Sequence, residues 1–440
     1  MDFHFRVRAT VLRSLLVLVL ITLACAPVAA DAFTGTPEQA IQAAWQRAAR
    51  LGTYRFATEI TRCEFSGGRW QLQAANGLRD QADVVIAATG VLHHPFIPAI
   101  DGLDTFEGAW FHSARWDHTV ALDGRRVGVI GTGSTGVQIV SALVDRVAKL
   151  TLFQRTAQWI TPQENPPYSS AEQAAFRRDP ERMRTMHREM SRLLAETFAN
   201  VAVDADSPQM QQLEAICRAN LENNVHDPAL REKLRPNYRA ACKRLVISPD
   251  FYAAIQKPNA ELVTEAIERV EAGGVRTRDG QLHGLEVLVL ATGFRVDRFM
   301  RPMQVIGRAG THLDDVWAQR PVAYLSISIP GFPNLFMLNG PNGPVGNFSL
   351  IEVAELQIAY IMQLVGQLRA GRCREISPSA SATAQFDAER VEQAKRTVWA
   401  TGCRSWYLDD RGVPMSWPWT FDRFRAEMAA PKLEAFEQKG

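Results

Sequence analysis

The feature that most constrains this chain is an apolar run, Arg126-Val127-Gly128-Val129-Ile130, leading at once into Gly131-Thr132-Gly133-Ser134-Thr135-Gly136. Val137, Ile139, Val140 and Leu143 then recur at helical spacing, and Leu150-Thr151-Leu152-Phe153 is a second apolar run. Strand, glycine loop, helix and strand within about 30 residues make a βαβ unit. In such a loop the first glycine permits the tight turn and the second lets backbone approach a pyrophosphate. The third packs helix on strand, while the helix N-terminus faces the negative charge. The pattern predicts a dinucleotide site; the competing reading is a plain glycine-rich turn. About twenty residues on, where an acidic side chain would hold the ribose 2′-hydroxyl of NAD, the chain carries Gln154-Arg155-Thr156. A forked guanidinium can pair with a 2′-phosphate and Thr156 adds a donor, so the cofactor read here is NADP(H). Against this stands Arg155 as a merely solvated charge.

Two further apolar runs, Asp83–Ala88 and Leu285–Leu290, close on Ala88-Thr89-Gly90 and Ala291-Thr292-Gly293. Continuous runs of this kind fit strands buried on both faces of a parallel sheet, and the small closing residues let a dinucleotide lie close to backbone. Two such closings imply two dinucleotide domains, each opened by its own glycine fingerprint. Only the second has one. The glycines before Ala88 are Gly35, Gly52, Gly67, Gly68 and Gly77, and none falls in a GxGxxG. A helix is expected over 36–52, opened by the capping-box pattern Thr36-Pro37-Glu38-Gln39. A hairpin is expected around Tyr54–Cys63 and Arg69–Ala74. Residues from Pro162 to about Tyr238 turn polar and helical, with Met183, Met186, Met190, Leu193 and Leu194 on one face that reads as a helix core. The last 150 residues predict strands at Tyr324–Ile329 and Leu335–Leu338 and a long helix over Ile351–Arg369.

Composition narrows the class. Lys+Arg of 49 against Asp+Glu of 47 leaves a net charge of +2, which does not advertise a nucleic-acid or polybasic membrane partner. Cys25, Cys63, Cys217, Cys242, Cys373 and Cys403 are scattered without a CxxC pair or a histidine at ligand spacing. That argues against a metal site, a disulfide framework and a dithiol redox centre. Residues 1–30 stand apart. Arg6, Arg8 and Arg13 precede an apolar run from Leu15 to Ala26, and Val28 and Ala30 flank a cleavage-like site before Asp31. This is the layout of a secretory signal peptide; the other reading is an acquired or mis-started N-terminus.

With these residues in view, the chain resembles the Baeyer–Villiger flavoprotein monooxygenases. Phe106-Glu107-Gly108-Ala109-Trp110-Phe111-His112-Ser113-Ala114-Arg115-Trp116-Asp117 matches the family's FxGxxxHxxxW(P/D) fingerprint. Cys242-Lys243-Arg244, Ala291-Thr292-Gly293-Phe294, Gly340-Pro341-Asn342 and Gly402-Cys403-Arg404-Ser405-Trp406-Tyr407 match further landmarks in family order. The resemblance covers roughly residues 36–430. It implies an α/β flavoprotein of two dinucleotide-binding domains, a Rossmann-like NADP domain inserted in an FAD domain. The FAD domain here lacks its first βαβ, and a helical insert lies at about 163–240. The expected division is a leader at 1–30, an FAD-domain remnant with linker at 31–118, the NADP domain at 119–292, and the second FAD segment at 293–440.

The resemblance also implies roles. FAD and NADP(H) are the cofactors, and the substrates are O2 and a small carbonyl compound, with no protein partner indicated. Arg244 matches the active-site arginine that steadies an anionic oxygenating species. Lys243 matches a residue that assists Arg155 and Thr156 at the 2′-phosphate. Phe106, Gly108, His112, Trp116 and Asp117 belong to the interdomain fingerprint, with His112 positioning rather than acid–base. Trp406 matches a tryptophan near the nicotinamide ribose, though a lone aromatic there also reads as core. Thr89, Gly90, Thr292, Gly293, Gly340 and Asn342 fall along the cofactor path. The family's first GxGxxG and its aspartate-bearing segment are absent, so the chain is read as N-terminally incomplete with weakened FAD binding. N- or S-oxygenating flavin monooxygenases and an inactive NADP(H)-binding remnant are the alternatives. By family the protein is cytoplasmic; the leader-like start argues for export or a mis-called start.

Overall fold

A computed structural model describes residues 58–440, except 164, 165 and 347, together with the short strand Val17–Val19. The expected leader and the helix at 36–52 lie outside the described residues. The apolar runs assemble a five-stranded, all-parallel sheet. Its order is Ala260–Val263, Lys149–Phe153, Arg126–Ile130, Val287–Leu290, Ala109–His112. Val127, Val129, Leu150, Leu152, Val289 and Leu290 are completely buried, as a sheet covered on both faces demands. One face packs on the helix Ser134–Leu143 and the short helix Phe251–Ile255. The other packs on Leu103, Phe106 and the antiparallel ribbon Ile267–Glu271, Gly274–Thr277, Leu282–Gly284. The fingerprint strand Ala109–His112 therefore belongs to the dinucleotide sheet, where the sequence reading had put it in the flavin-side linker. Its backbone pairs residue for residue with Val287–Leu290.

The second body is built around Val85–Ala88, which pairs in parallel with Leu335–Met337 and carries Val17–Val19 antiparallel on its other edge. Beside it lies a meander of Ile60–Ser66, Arg69–Ala74 and Arg79–Ala82, extended by Gln304–Ile306. The hairpin expected around Ser66-Gly67-Gly68 is present. Buried Trp70 anchors it by donating from Nε1 to the Pro333 carbonyl at 2.8 Å. Leu350–Arg369, Ala380–Ala394 and Phe421–Ala429 supply the helical cover, and Glu375–Pro378 pairs with Phe436–Lys439. The strand expected at Tyr324–Ile329 does not form. Leu325 and Ser326 take left-handed backbone (φ 51° and 66°), and the Ser326 hydroxyl donates to the Gly340 carbonyl at 2.6 Å. The apolar run there is a buried turn, because buried turns and buried strands both need apolar side chains.

The helical insert consists of Ser170–Arg178, Pro180–Leu194, Pro208–Asn224 and Pro228–Lys233. Ser169 and Glu172 close a capping box on the first, and Asp179 caps the second with proline behind it. The methionine face of Pro180–Leu194 is not a core, contrary to expectation. Met183, Met190, Leu193 and Leu194 are exposed, while Ser191 turns inward to Glu352. Among the described residues no helix is long and apolar enough to cross a membrane.

Glu286 pins the outer end of the parallel sheet. Its carboxylate accepts from the Arg125 guanidinium at 2.7 Å and from the Arg126 backbone at 3.1 Å. These donors, Arg125 first, hold its carboxyl down at about 2 against an ordinary 4.5. A carboxylate depressed in the folded state stabilises above its unfolded value and loses that contribution as pH falls. Glu286→Gln should lower the urea midpoint at neutral pH, and the gap from the parent should close between pH 4.5 and about 2. A gap that persists at pH 2 would refute this account.

Candidate active site

The site grows from the C-terminal ends of the parallel strands, where loops diverge and a crevice opens. Strand Arg126–Ile130 feeds Gly131, whose φ of 113° suits glycine. A Cβ at Gly136 would sit 2.0 Å from the Gly131 carbonyl, so only glycine lets the helix start this close to the strand. Gly133 meets nothing within 4 Å and is exposed. Its open side is where a phosphate can approach backbone N–H groups. Buried Thr132 braces the loop by donating to the Thr156 carbonyl at 2.7 Å. Ser134 and Thr135 then open the helix, which receives no side-chain cap. Its first amides are left for an anion.

Beyond the next strand, Arg155 is exposed and Thr156 half-buried. Buried Gln154 donates to the Lys233 carbonyl at 2.6 Å, which fixes the start of this turn. Lys243 lies against the Tyr238 ring, with Nζ 4.8 Å from its centroid. Burial, and then the charge of Arg155, lower the pKa of Lys243. Two cations thus converge with no carboxylate paired to either among the described residues, an arrangement that suits an added anion.

The closings Thr89-Gly90 and Thr292-Gly293 lead into two linkers that lie side by side. Pro95 bridges Phe294, the Phe96 amide donates to the Gly293 carbonyl at 2.8 Å, and the Thr292 hydroxyl donates to the Phe96 carbonyl at 2.5 Å. His112 stands at this crossing. It is buried, its Nδ1 accepts from the Ala114 amide at 3.1 Å, and its Nε2 has no partner. Burial lowers its pKa, which favours the neutral ring. The rest of the fingerprint is structural. Phe106 is buried, a Cβ at Gly108 would collide with the Phe106 ring and the Glu286 carbonyl, and Trp116 meets Phe111 edge-on at 4.9 Å. Asp117 accepts from Thr119. The sequence reading had not singled out His93 and His94, which stack at 4.1 Å beside these linkers.

The second landmark group gathers around an apolar cleft lined by Val91, Val296, Phe299, Gly340, Asn342, Trp406 and Tyr407. Asn342 is buried with φ 68°; its side chain accepts from the Ala323 amide at 3.2 Å and donates to the Met415 carbonyl at 3.3 Å. It thereby ties the Gly340 loop to the Trp406 segment. Trp406 is half-buried and stacks on Tyr407 with centroids 4.2 Å apart. Arg244 is exposed and makes no hydrogen bond or ion pair among the described residues. Burial pushes the Tyr407 hydroxyl up, and the charge of nearby Arg244 opposes that rise, while Arg244 itself lies outside the residues that line the cleft.

One expectation fails here. Cys242 and Cys403 form a disulfide, with Cα atoms 6.2 Å apart across 161 residues of sequence. Spacing cannot reveal connectivity, and the two positions meet only because the insert folds back on the C-terminal segment. Cys63, Cys217 and Cys373 stay free and buried. Among the described residues no group of three or more His, Cys, Asp or Glu side chains could hold a metal ion.

Comparison with known proteins agrees with this geometry. A family model described as flavin-binding monooxygenase-like matches residues 55–300. The chain is 48% identical over 383 residues to an uncharacterised monooxygenase of Mycobacterium tuberculosis, covering 87% of this chain and 77% of that protein. It is 36% identical over 391 residues to a Baeyer-Villiger monooxygenase of Streptomyces coelicolor, covering 87% and 74%. Among solved structures, the closed form of cyclohexanone monooxygenase aligns with a TM-score of 0.78 at 30% identity, over 92% of this chain and 84% of that one. Cyclohexanone monooxygenase from Rhodococcus sp. Phi1 bound to NADP+ aligns with a TM-score of 0.78 at 28% identity, over 91% and 84%.

The glycine loop makes a stability prediction independent of ligand. Gly136→Ala should destabilise the protein by about 1–3 kcal/mol, because backbone must move to admit the methyl group. Gly133→Ala should leave the melting temperature nearly unchanged. Equal effects of the two substitutions on thermal unfolding would contradict the packing described.

Proposed function

Because the chain belongs to the flavin-binding monooxygenase-like family, we propose that it uses NADPH and FAD to insert one oxygen atom of O2 beside the carbonyl carbon of a ketone or aldehyde. The balance is carbonyl compound, O2, NADPH and one proton giving ester or lactone, NADP+ and water. One observation carries the reading. Lys243, packed on Tyr238, and exposed, unpaired Arg244 are adjacent on one turn that the Cys242–Cys403 bond ties to the segment carrying Trp406 and Tyr407.

The residues fit NADPH well. Gly131–Gly136 and the uncapped helix behind them take the pyrophosphate, while Arg155, Thr156 and Lys243 take the 2′-phosphate. For FAD the ring-side half of a site fits. Val85–Ala88 closes on Thr89-Gly90, and Gly340, whose Cβ would meet the Ser326 carbonyl at 2.4 Å, lets its loop cross close to Ser326 at the edge of the cleft. A second glycine-rich phosphate loop is not among the described residues. Bound there, FAD supplies hydride acceptance from NADPH and activation of O2.

The chain's own side chains do the rest. Arg244, with no counter-ion among the described residues, offers an uncompensated positive charge where negative charge develops on oxygen. Trp406, Val296 and Phe299 exclude water from the cleft, which strengthens that interaction. His112 caps the turn Ser113–Arg115 beside the linker crossing through the Ala114 amide and acts by positioning.

Purified protein with added FAD should bind flavin and consume NADPH and O2; flavin binding without NADPH oxidation, or neither, would refute the proposal. Arg244→Ala should cut ester formation by about 100-fold or more while NADPH oxidation continues and its electrons appear as hydrogen peroxide. Equal loss of both activities would remove Arg244 from this role. Arg155→Ala should weaken NADPH binding about tenfold or more and leave NADH binding unchanged; a parallel loss for both nucleotides would point to a damaged loop.

A further inference from the structure

We propose that the Cys242–Cys403 disulfide is a redox-sensitive strap that positions the Lys243–Arg244 turn, so that a dithiol reductant loosens the NADP(H) corner and the cleft together. The functional weight of the turn rests on the roles given above to Lys243 and Arg244; the strap itself rests on geometry. The bond joins the end of the helical insert to the C-terminal segment that carries Trp406 and Tyr407. Cys242 is completely buried among Leu245, Trp399 and Tyr407.

The backbone before it is strained. Ala241 is buried in left-handed conformation at φ 62°, which a non-glycine residue keeps only when its surroundings over-determine it. The neighbouring anchors stop short of the turn. Arg239 is held by Glu214 at 2.7 Å and by the Ala205 carbonyl at 2.7 Å; the Cys242 amide donates back to the Arg239 carbonyl at 3.2 Å, and the next backbone bond to another segment is the Val246 amide on the Trp159 carbonyl at 3.3 Å. Between them, among the described residues, the Cys242 sulfur is the covalent tie to the C-terminal segment. Lys243 contributes a ring contact, and Arg244 makes no bond. On the other side of the strap, Cys403 lies between exposed Gly402 and Arg404. It offers the more approachable sulfur, since Cys242 has no exposure at all.

The exchange is a two-electron reduction. One thiolate of the dithiol attacks the Cys403 sulfur and expels the Cys242 thiolate, giving a mixed disulfide. The second thiol of the reductant then displaces Cys403. Two electrons and two protons end on the Cys242 and Cys403 thiols, and the reductant leaves as a cyclic disulfide. The other described cysteines do not compete. Burial pushes the Cys217 thiol up to about 12 and that of Cys63 higher still, and raises that of buried Cys373 as well, which keeps all three protonated. Freed from the tie, the strained turn can relax, and the backbone that carries both cations loses its fixed position.

The test uses the full chain, purified without reductant and poised across a series of reduced-to-oxidised dithiothreitol ratios. At each ratio, peptide mapping gives the fraction of Cys242–Cys403 cross-link, equilibrium dialysis gives the Kd for NADP+, and hydrogen exchange reports residues 238–245 and 398–408. Reduction should speed exchange in both segments about tenfold and raise the Kd several-fold, each with the same midpoint as loss of the cross-link. A Cys242→Ser/Cys403→Ser protein should show the reduced-state Kd at every ratio. Absence of the cross-linked peptide, or verified reduction that leaves both exchange and Kd unchanged, overturns the strap. Failure of the oxidised protein to bind NADP+ at all would instead refute the cofactor reading, and exchange would still decide the strap.

Discussion

The central strand Val287–Leu290 is hydrogen-bonded on both edges, to Arg126–Ile130 and to Ala109–His112. Everything at the site depends on this shared parallel register. It brings the ends of three strands level, so that Gly131, Thr292 and His112 emerge on one rim. Slipping any one strand by a residue would exchange its two buried faces between the layers that cover the sheet, and completely buried Val127, Val129 and Val289 would lose their packing partners. The glycine loop, the linker crossing and the fingerprint histidine are therefore consequences of one register.

Much of this was legible in the chain because it is local. A strand, a Gly131–Gly136 loop and a helix announce themselves through neighbours in sequence, and Gly136 has no substitute because its contact is five residues away. Lys243 against Tyr238 lies within reach of the same logic. What escaped is long-range. Cys242 meets Cys403 across 161 residues, and the pairing of Ala109–His112 with Val287–Leu290 spans a similar distance. In neither case does spacing carry information. Tyr324–Ile329 misled for another reason: burial selects apolar residues in a turn as readily as in a strand. The Met183–Leu194 face misled because helical periodicity shows that a face is apolar without showing that anything covers it.

The electrostatics divide the molecule into two styles. At the periphery charges are paired and exposed, as in Arg146 with Asp123 or Lys257 with Asp145. Such pairs contribute little individually. Near the cleft the rule reverses: Arg155, Lys243 and Arg244 cluster without carboxylate partners. The C-terminal body shows the contrasting solution, where completely buried Arg390 is matched by Asp387 at 2.8 Å and by the Pro414 carbonyl. A guanidinium meant to stay inside is neutralised by its own chain; one meant to meet a ligand is left uncompensated.

The crossing of the two linkers has a mechanical consequence. Two adjacent tethers, bonded to each other from His94 through Phe96 to Gly293 and Arg295, form one narrow neck between the two bodies, and the Cys242–Cys403 bond is a second, distant tie. Two ties set apart resist rotation about either one. With the covalent tie cut, the neck is left as a hinge line, and His112 lies beside it where displacement is smallest.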